Sequence, residues 1–307
     1  MILFLTGTND FGIRQAIDAL VAAAIIANGA NAVDRVDGET LDPARLPDLL
    51  QGASLFANER LVIIRDASKN KPLWEGLGDY AEKVSSEITL VIVDSAPDKR
   101  TRTYKQLQKH GSHQDFPELS EHELAAWAVD VARKEGATLD GRTATYLVRQ
   151  VGANQWQLSS ELAKLIASGQ GITRESIDLL VEPSPQASAF ELLDATLQGN
   201  QARAQEILAK LKTIEDPYKL FGLLVSQVHT LAVVATAVGK SPDAIAREAG
   251  IHPFVAKKMQ PLARTLSYAQ LRGIIGAVAL ADTQMKSTGA DPWMLLAQCL
   301  GKIASRA

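Results

Sequence analysis

Ile2-Leu3-Phe4-Leu5-Thr6-Gly7-Thr8-Asn9-Asp10-Phe11-Gly12-Ile13-Arg14 opens the chain and decides how its first third is read. An apolar run of strand length stops at a glycine, and Ile13, Ile17, Leu20, Val21 and Ile25 then recur at helical spacing. Strand, turn and covering helix are the prediction. The same alternation continues, with strands expected over Ile2 to Thr6, Ala32 to Val36, Leu61 to Arg65, Ile88 to Asp94 and His113 to Phe116, and with Leu46, Leu49 and Leu50 on a second helix. Short β-rich runs alternating with helices predict a layered α/β domain with a mostly parallel sheet, buried on both faces at the third and fourth strands.

Gly7 and Gly12 have the G-x-x-x-x-G spacing of a phosphate-binding loop, but Ile13 and Arg14 stand where Lys and Ser or Thr are required to reach phosphates and Mg²⁺. The stretch is then an ordinary strand-to-helix turn or the relic of a lost site; neither supports ATP hydrolysis. Asp66 and Asp94 close two strands, where a metal ligand or a turn cap are the two readings. His110 and His113 lack an acidic or cysteine partner at ligand spacing, and no hydrolase, zinc-protease or dinucleotide signature occurs. No catalytic, cofactor-binding or metal residue is expected.

Beyond Phe116 no strand-like run recurs. Ser120 with Glu123 and Ser267 with Gln270 form capping boxes, and Asp216-Pro217, Ser241-Pro242 and Asp291-Pro292 each set a capping side chain before a proline at a helix start. The remainder reads all-α. Glu182-Pro183-Ser184-Pro185-Gln186-Ala187-Ser188 is the expected linker, and apolar stripes through Leu220, Leu223, Leu224, Gln227 and Leu231, and through Leu271, Ile274, Ile275 and Val278, predict a helical bundle after it.

Composition narrows the function classes. A net charge of -3 over 307 residues provides no general cationic field, so nucleic-acid contact must be local. The single cysteine, Cys299, excludes an intramolecular disulfide framework and fits a reducing compartment, read as cytoplasm. Uninterrupted apolar runs fall short of the roughly 20 residues a bilayer requires, so no membrane partner is expected, and the strand-like N-terminus does not read as a secretion signal.

Three patterns suggest binding. Leu55 and Phe56 lie side by side between small residues and a polar turn; they either close their own domain's core or project as an interface anchor. Arg102, Lys105 and Lys109 line one face of a predicted helix, which is either solvated or set against phosphates or a neighbouring subunit. Phe254 lies close to Lys257 and Lys258, where an aromatic beside two cations either stacks on a base or packs in a small core.

The chain resembles the delta subunit family of bacterial DNA polymerase III over nearly its whole length. The likeness rests on an ordered set of segments. In the first third these are Gly7 to Phe11, Ser54-Leu55-Phe56 leading into Arg60 to Asp66, and Asp98-Lys99-Arg100 to Tyr104-Lys105. Downstream they are Val151-Gly152 through Trp156 to Leu165, Ala189 to Ala195, Pro253-Phe254 to Lys257-Lys258, and Met285-Lys286-Ser287 before Asp291-Pro292.

The resemblance implies an α/β plus all-α fold of AAA+ like kind: a parallel-sheet module without a P-loop over 1–117, a helical lid over 118–183 and a helical collar over 184–307. It implies a clamp-loader subunit that binds and opens the sliding clamp (beta) through Leu55 and Phe56, with Ala53 where some relatives have a larger apolar residue. The implied partners are gamma/tau and delta-prime type subunits and primed DNA. The chain would have no ATPase of its own within a larger polymerase complex; a divergent AAA+ ATPase with an unusual nucleotide site is the alternative.

Overall fold

Four consecutive apolar residues, Leu61 to Ile64, and the Leu90 to Val93 run can be buried only in a sheet covered on both sides. The computed structural model describes residues 1–51, 59–169 and 171–305, which form two compact units, Met1–Glu118 and Leu119–Ala307. In the first unit β1 (Ile2–Thr6), β2 (Val33–Asp37), β3 (Arg60–Arg65), β4 (Ile88–Asp94) and β5 (Ser112–Asp115) make one all-parallel sheet in the order β2-β3-β4-β1-β5.

Side-chain alternation divides the sheet between two cores. Phe4, Val62, Ile64, Leu90 and Ile92 pack with α2 (Leu46–Gln51), α3 (Lys71–Tyr80) and α4 (Arg102–His110) through Leu50, Leu73, Trp74, Leu77, Tyr104 and Leu107. Leu5, Leu61, Ile63, Val91 and Val93 pack on the opposite face with Ile13, Ile17 and Val21 of α1 (Asp10–Asn28). β1 and β4 run as expected. β2 and β5 are each shifted by one residue, because both are edge strands of largely polar sequence and pairing, not apolar content, sets their ends.

The second unit is helical. It comprises α5 (Glu121–Lys134), α6 (Gly141–Val151), α7 (Gln155–Ala167), α8 (Arg174–Leu180), α9 (Pro185–Leu197), α10 (Gln201–Ile214), α11 (Pro217–Thr236), α12 (Pro242–Ala249), α13 (Pro253–Thr265), α14 (Tyr268–Ser287) and α15 (Pro292–Ala304). Both capping boxes form, and Asp216, Ser241 and Asp291 cap their helices ahead of the prolines. Leu124, Leu147, Leu158, Leu162 and Ile177 centre one core; Leu192, Leu193, Leu224, Ile274, Leu296 and Ile303 centre another.

One expectation is corrected. The segment expected as a linker already contains the first turn of α9: buried Ser184 caps it by accepting from the Ala187 amide at 3.1 Å, and the Ser184 amide donates to the Gln150 carbonyl at 2.9 Å. Helix α11 is 20 residues long with a window of mean hydropathy 1.4, long and apolar enough to cross a membrane by composition. It escaped notice because polar residues interrupt its apolar runs. Its Leu220, Phe221, Leu224 and Val228 pack in the same core as α9, α14 and α15.

Candidate functional site

The turn after β1 shows what became of the phosphate-loop spacing. A phosphate cradle needs backbone N–H groups aimed at the ligand. Here the Gly7 amide donates to Ser95 O at 3.2 Å, the Asn9 amide to Phe116 O at 3.0 Å and the Gly12 amide to the Asn9 side chain at 2.9 Å. Gly7 has φ +115°, and a Cβ there would fall 2.1 Å from the Phe116 carbonyl oxygen. Ile13 is buried in the α1 core, and Arg14 faces solvent, paired with Asp18 at 2.9 Å. The turn is held by the end of β5.

The strand-end carboxylates are also engaged within the fold. Asp94 is buried and accepts from both the amide and the hydroxyl of Ser68, each at 2.8 Å, fixing the turn after β3. Asp66 pairs with Lys69 at 3.1 Å. His113 Nδ1 faces the Gln108 amide nitrogen at 3.2 Å and its Nε2 lies 2.9 Å from Thr6 Oγ1, which donates to Asp115 at 2.7 Å. A neutral His113 protonated on Nε2 satisfies that chain. His110 pairs instead with Glu82 at 3.0 Å. Among the described residues no group of three or more His, Cys, Asp or Glu is placed to hold a metal.

Ala53, Leu55 and Phe56 lie outside the described residues. Their flanks are well defined. Leu50 is fully buried and its carbonyl accepts from the Ser85 amide at 3.0 Å; the Arg60 amide donates to Glu87 O at 2.8 Å. The chain therefore leaves α2 and resumes at β3 from two points held by residues 85 and 87 of one connection. Arg60 also clasps Asp34 at 2.5 Å, fixing the first residue of β3 to edge strand β2.

On α4, Thr103, Tyr104 and Leu107 face the core, while Arg102, Lys105 and Lys109 are exposed, as the helical spacing predicts. Arg102 pairs with Asp79 at 3.3 Å; Lys105 and Lys109 have no ion pair among the described residues. Just ahead of the helix, side-chain and backbone hydrogen bonds from Arg100 hold the Asp98 carboxyl down to about 2, so the Arg100 charge is partly answered.

Of the two readings of Phe254, core packing is the one observed: its ring is buried with Leu147, Val151 and Leu158. Lys257 is exposed. Lys258 turns inward, its Nζ 3.9 Å from the centroid of Phe190 and 5.8 Å from that of Phe254. Burial lowers its pKa to about 8, opposed chiefly by Glu121 and aided by Arg149. Sequence reasoning missed the surroundings: a cleft of about 820 Å³ walled by α6, α9, α10 and α13. Its charges are mostly paired, Arg149 with Glu121 at 2.7 Å and Arg203 with Glu191 at 2.5 Å and Glu206 at 2.8 Å. Only the i, i+4 placement of Phe254 and Lys258 on one helix face signalled it.

Three comparisons bear on identity. Residues 186–303 match the family described as DNA polymerase III delta subunit, C-terminal domain. DNA polymerase III subunit delta of Bacillus subtilis (strain 168) is 28% identical over 215 residues, which are 68% of this chain and 62% of that protein, so the match spans less than two thirds of the relative. The structure of the Bacillus subtilis DNA clamp loader delta protein superposes with a TM-score of 0.80 over 99% of this chain and 95% of the other, at 23% identity. At that identity the likeness concerns the fold, and it bears out the expected α/β plus all-α class with its parallel sheet. Residues 186–303 thus carry the match to the C-terminal domain of the DNA polymerase III delta subunit family, and nearly the whole chain shares the fold of a clamp loader delta protein.

Proposed function

We propose that this chain is the delta-type subunit of a bacterial clamp loader, binding the ring-shaped sliding clamp (beta) through Leu55 and Phe56 and stabilising it with one interface open. The observation that carries the reading is the β1–α1 turn. An AAA+ like sheet whose turn amides are spent on Ser95, Phe116 and Asn9 suits a scaffold that acts by binding, with nucleotide handled by other subunits. Binding converts to opening only if the open ring is bound more tightly than the closed one. The flanks held at Ser85 and Glu87 supply a firm base from which residues 52–58 engage the clamp. Within the assembly, 1–117 is the clamp-binding module, 118–183 the lid and 184–307 the collar that joins gamma/tau and delta-prime type subunits in the cytoplasm. Lys105, Lys109 and Lys257 are exposed cations available to primed DNA or a neighbouring subunit.

The test is a clamp-binding titration of Leu55→Ala and Phe56→Ala. Each is expected to weaken binding by about 2 kcal/mol, roughly thirtyfold. Unchanged affinity in both would remove the anchor. Micromolar ATP binding by the isolated chain in equilibrium dialysis would favour the divergent ATPase instead.

A further inference from the structure

The cleft walled by α6, α9, α10 and α13 contains one cation unlike its neighbours. Arg149, Arg203 and Lys210 each have a carboxylate within 2.9 Å. Lys258 has none at ion-pair distance among the described residues and rests on ring faces instead. The charged groups around it are Glu121 from α5, Arg149 from α6, and Glu191 and Asp194 from α9. Burial strips water from its ammonium, and Arg149 adds repulsion; the three carboxylates oppose both without restoring an ordinary lysine.

A lysine in this state is a nucleophile at neutral pH. With a pKa of about 8, about a quarter of Lys258 is neutral at pH 7.5, against about one part in a thousand for an ordinary lysine. The cleft, at about 820 Å³, has room for a small reagent beside it, and the guanidinium groups of Arg149 and Arg203 on its walls suit the phosphate end of that reagent.

We propose that Lys258 is an acyl-acceptor site, modified by small anionic donors of the acyl-phosphate class that enter this cleft. The Nζ lone pair attacks the acyl carbon and an N–C bond forms. The C–O bond to phosphate breaks, its electron pair leaves with the phosphate, and that group takes up the proton lost by the nitrogen. Nothing is oxidised or reduced. The product is a neutral amide over Phe190, freed of the desolvation cost of the partly buried ammonium, with its attraction to Glu121, Glu191 and Asp194 removed.

The experiment treats the full chain with acetyl phosphate at a series of pH values and measures acetylation at each lysine by mass spectrometry of digests. Lys257, exposed on the same helix, is the internal reference. The initial rate at Lys258 is expected to exceed that at Lys257 by about tenfold or more at pH 7.5, and to level off above about pH 8 while Lys257 keeps rising. A rate at Lys258 equal to or below that at Lys257 overturns the proposal. Arg203→Ala should slow acetylation by acetyl phosphate more than that by uncharged p-nitrophenyl acetate, which reads only the effect of the unmasked Glu191 on Lys258; an equal change with both donors overturns the acyl-phosphate assignment.

Discussion

The Asn9 amide donates to the carbonyl of Phe116 at 3.0 Å, so the residue after β5 takes up a turn amide that a phosphate cradle would need free. Gly7 makes that approach possible, having no side chain to meet the same carbonyl. Gly7→Ala should therefore lower stability by about 3 kcal/mol, from left-handed strain plus overlap. Gly29→Ala, at φ +81° with nothing within 4 Å, should lose only about 1 kcal/mol. Urea unfolding midpoints of the two variants make the comparison.

Phe254 and Lys257 should separate cleanly. Phe254→Ala opens a hole in the α5–α8 core and should destabilise by about 3–5 kcal/mol. Lys257→Ala should leave the unfolding transition in place. If Lys257 contacts phosphate in the assembled complex, its loss shows as weaker DNA binding with unchanged base preference.

The depressed pKa of Lys258 predicts a pH dependence of stability. In the native state the proton leaves near pH 8, whereas the unfolded chain keeps it to about 10.5. Between those values the unfolded state binds more protons, so this group makes stability rise with pH across that window; below it the full cost of the buried charge remains. Lys258→Met should raise the thermal midpoint at pH 7, by at most about 3 kcal/mol in stability. The advantage should shrink from pH 8 and vanish near 10.5, as calorimetry at several pH values will register.

The exposed α4 cations predict a salt effect. Lys105→Ala with Lys109→Ala in the assembled loader should reduce the slope of log affinity against log salt for primed DNA by about 2, one phosphate contact for each lysine. Because neither lysine contributes to the core, folding should be unaffected. An unaltered slope assigns that helix face to solvent or to a protein neighbour.

Much of the fold was legible because its signals are local. Ile2–Thr6 and Ile88–Asp94 announce themselves by apolar content, and the helix starts by caps whose partners lie three residues away. Ser112–Asp115 was displaced in the reading because its sequence, Ser-His-Gln-Asp, carries no apolar pattern and its limits come from pairing with β1. The basic face of α4 followed from spacing alone. The inward turn of Lys258 did not, because adjacency in sequence to Lys257 suggests a shared surface, whereas a helix sends consecutive residues in different directions. The ring beneath it, Phe190, belongs to another helix and leaves no trace near residue 258.

Ser184 also bears on where the chain can be cut. A C-terminal fragment begun at residue 186, where the family match starts, would lose both the hydroxyl that finishes α9 and the amide clasp on Gln150. Such a piece would fray at its leading edge through a missing cap, and weak behaviour in it would reflect the excision. Fragments should begin upstream of Glu182, and limited proteolysis should spare Ser184 to Ser188 despite the two prolines nearby.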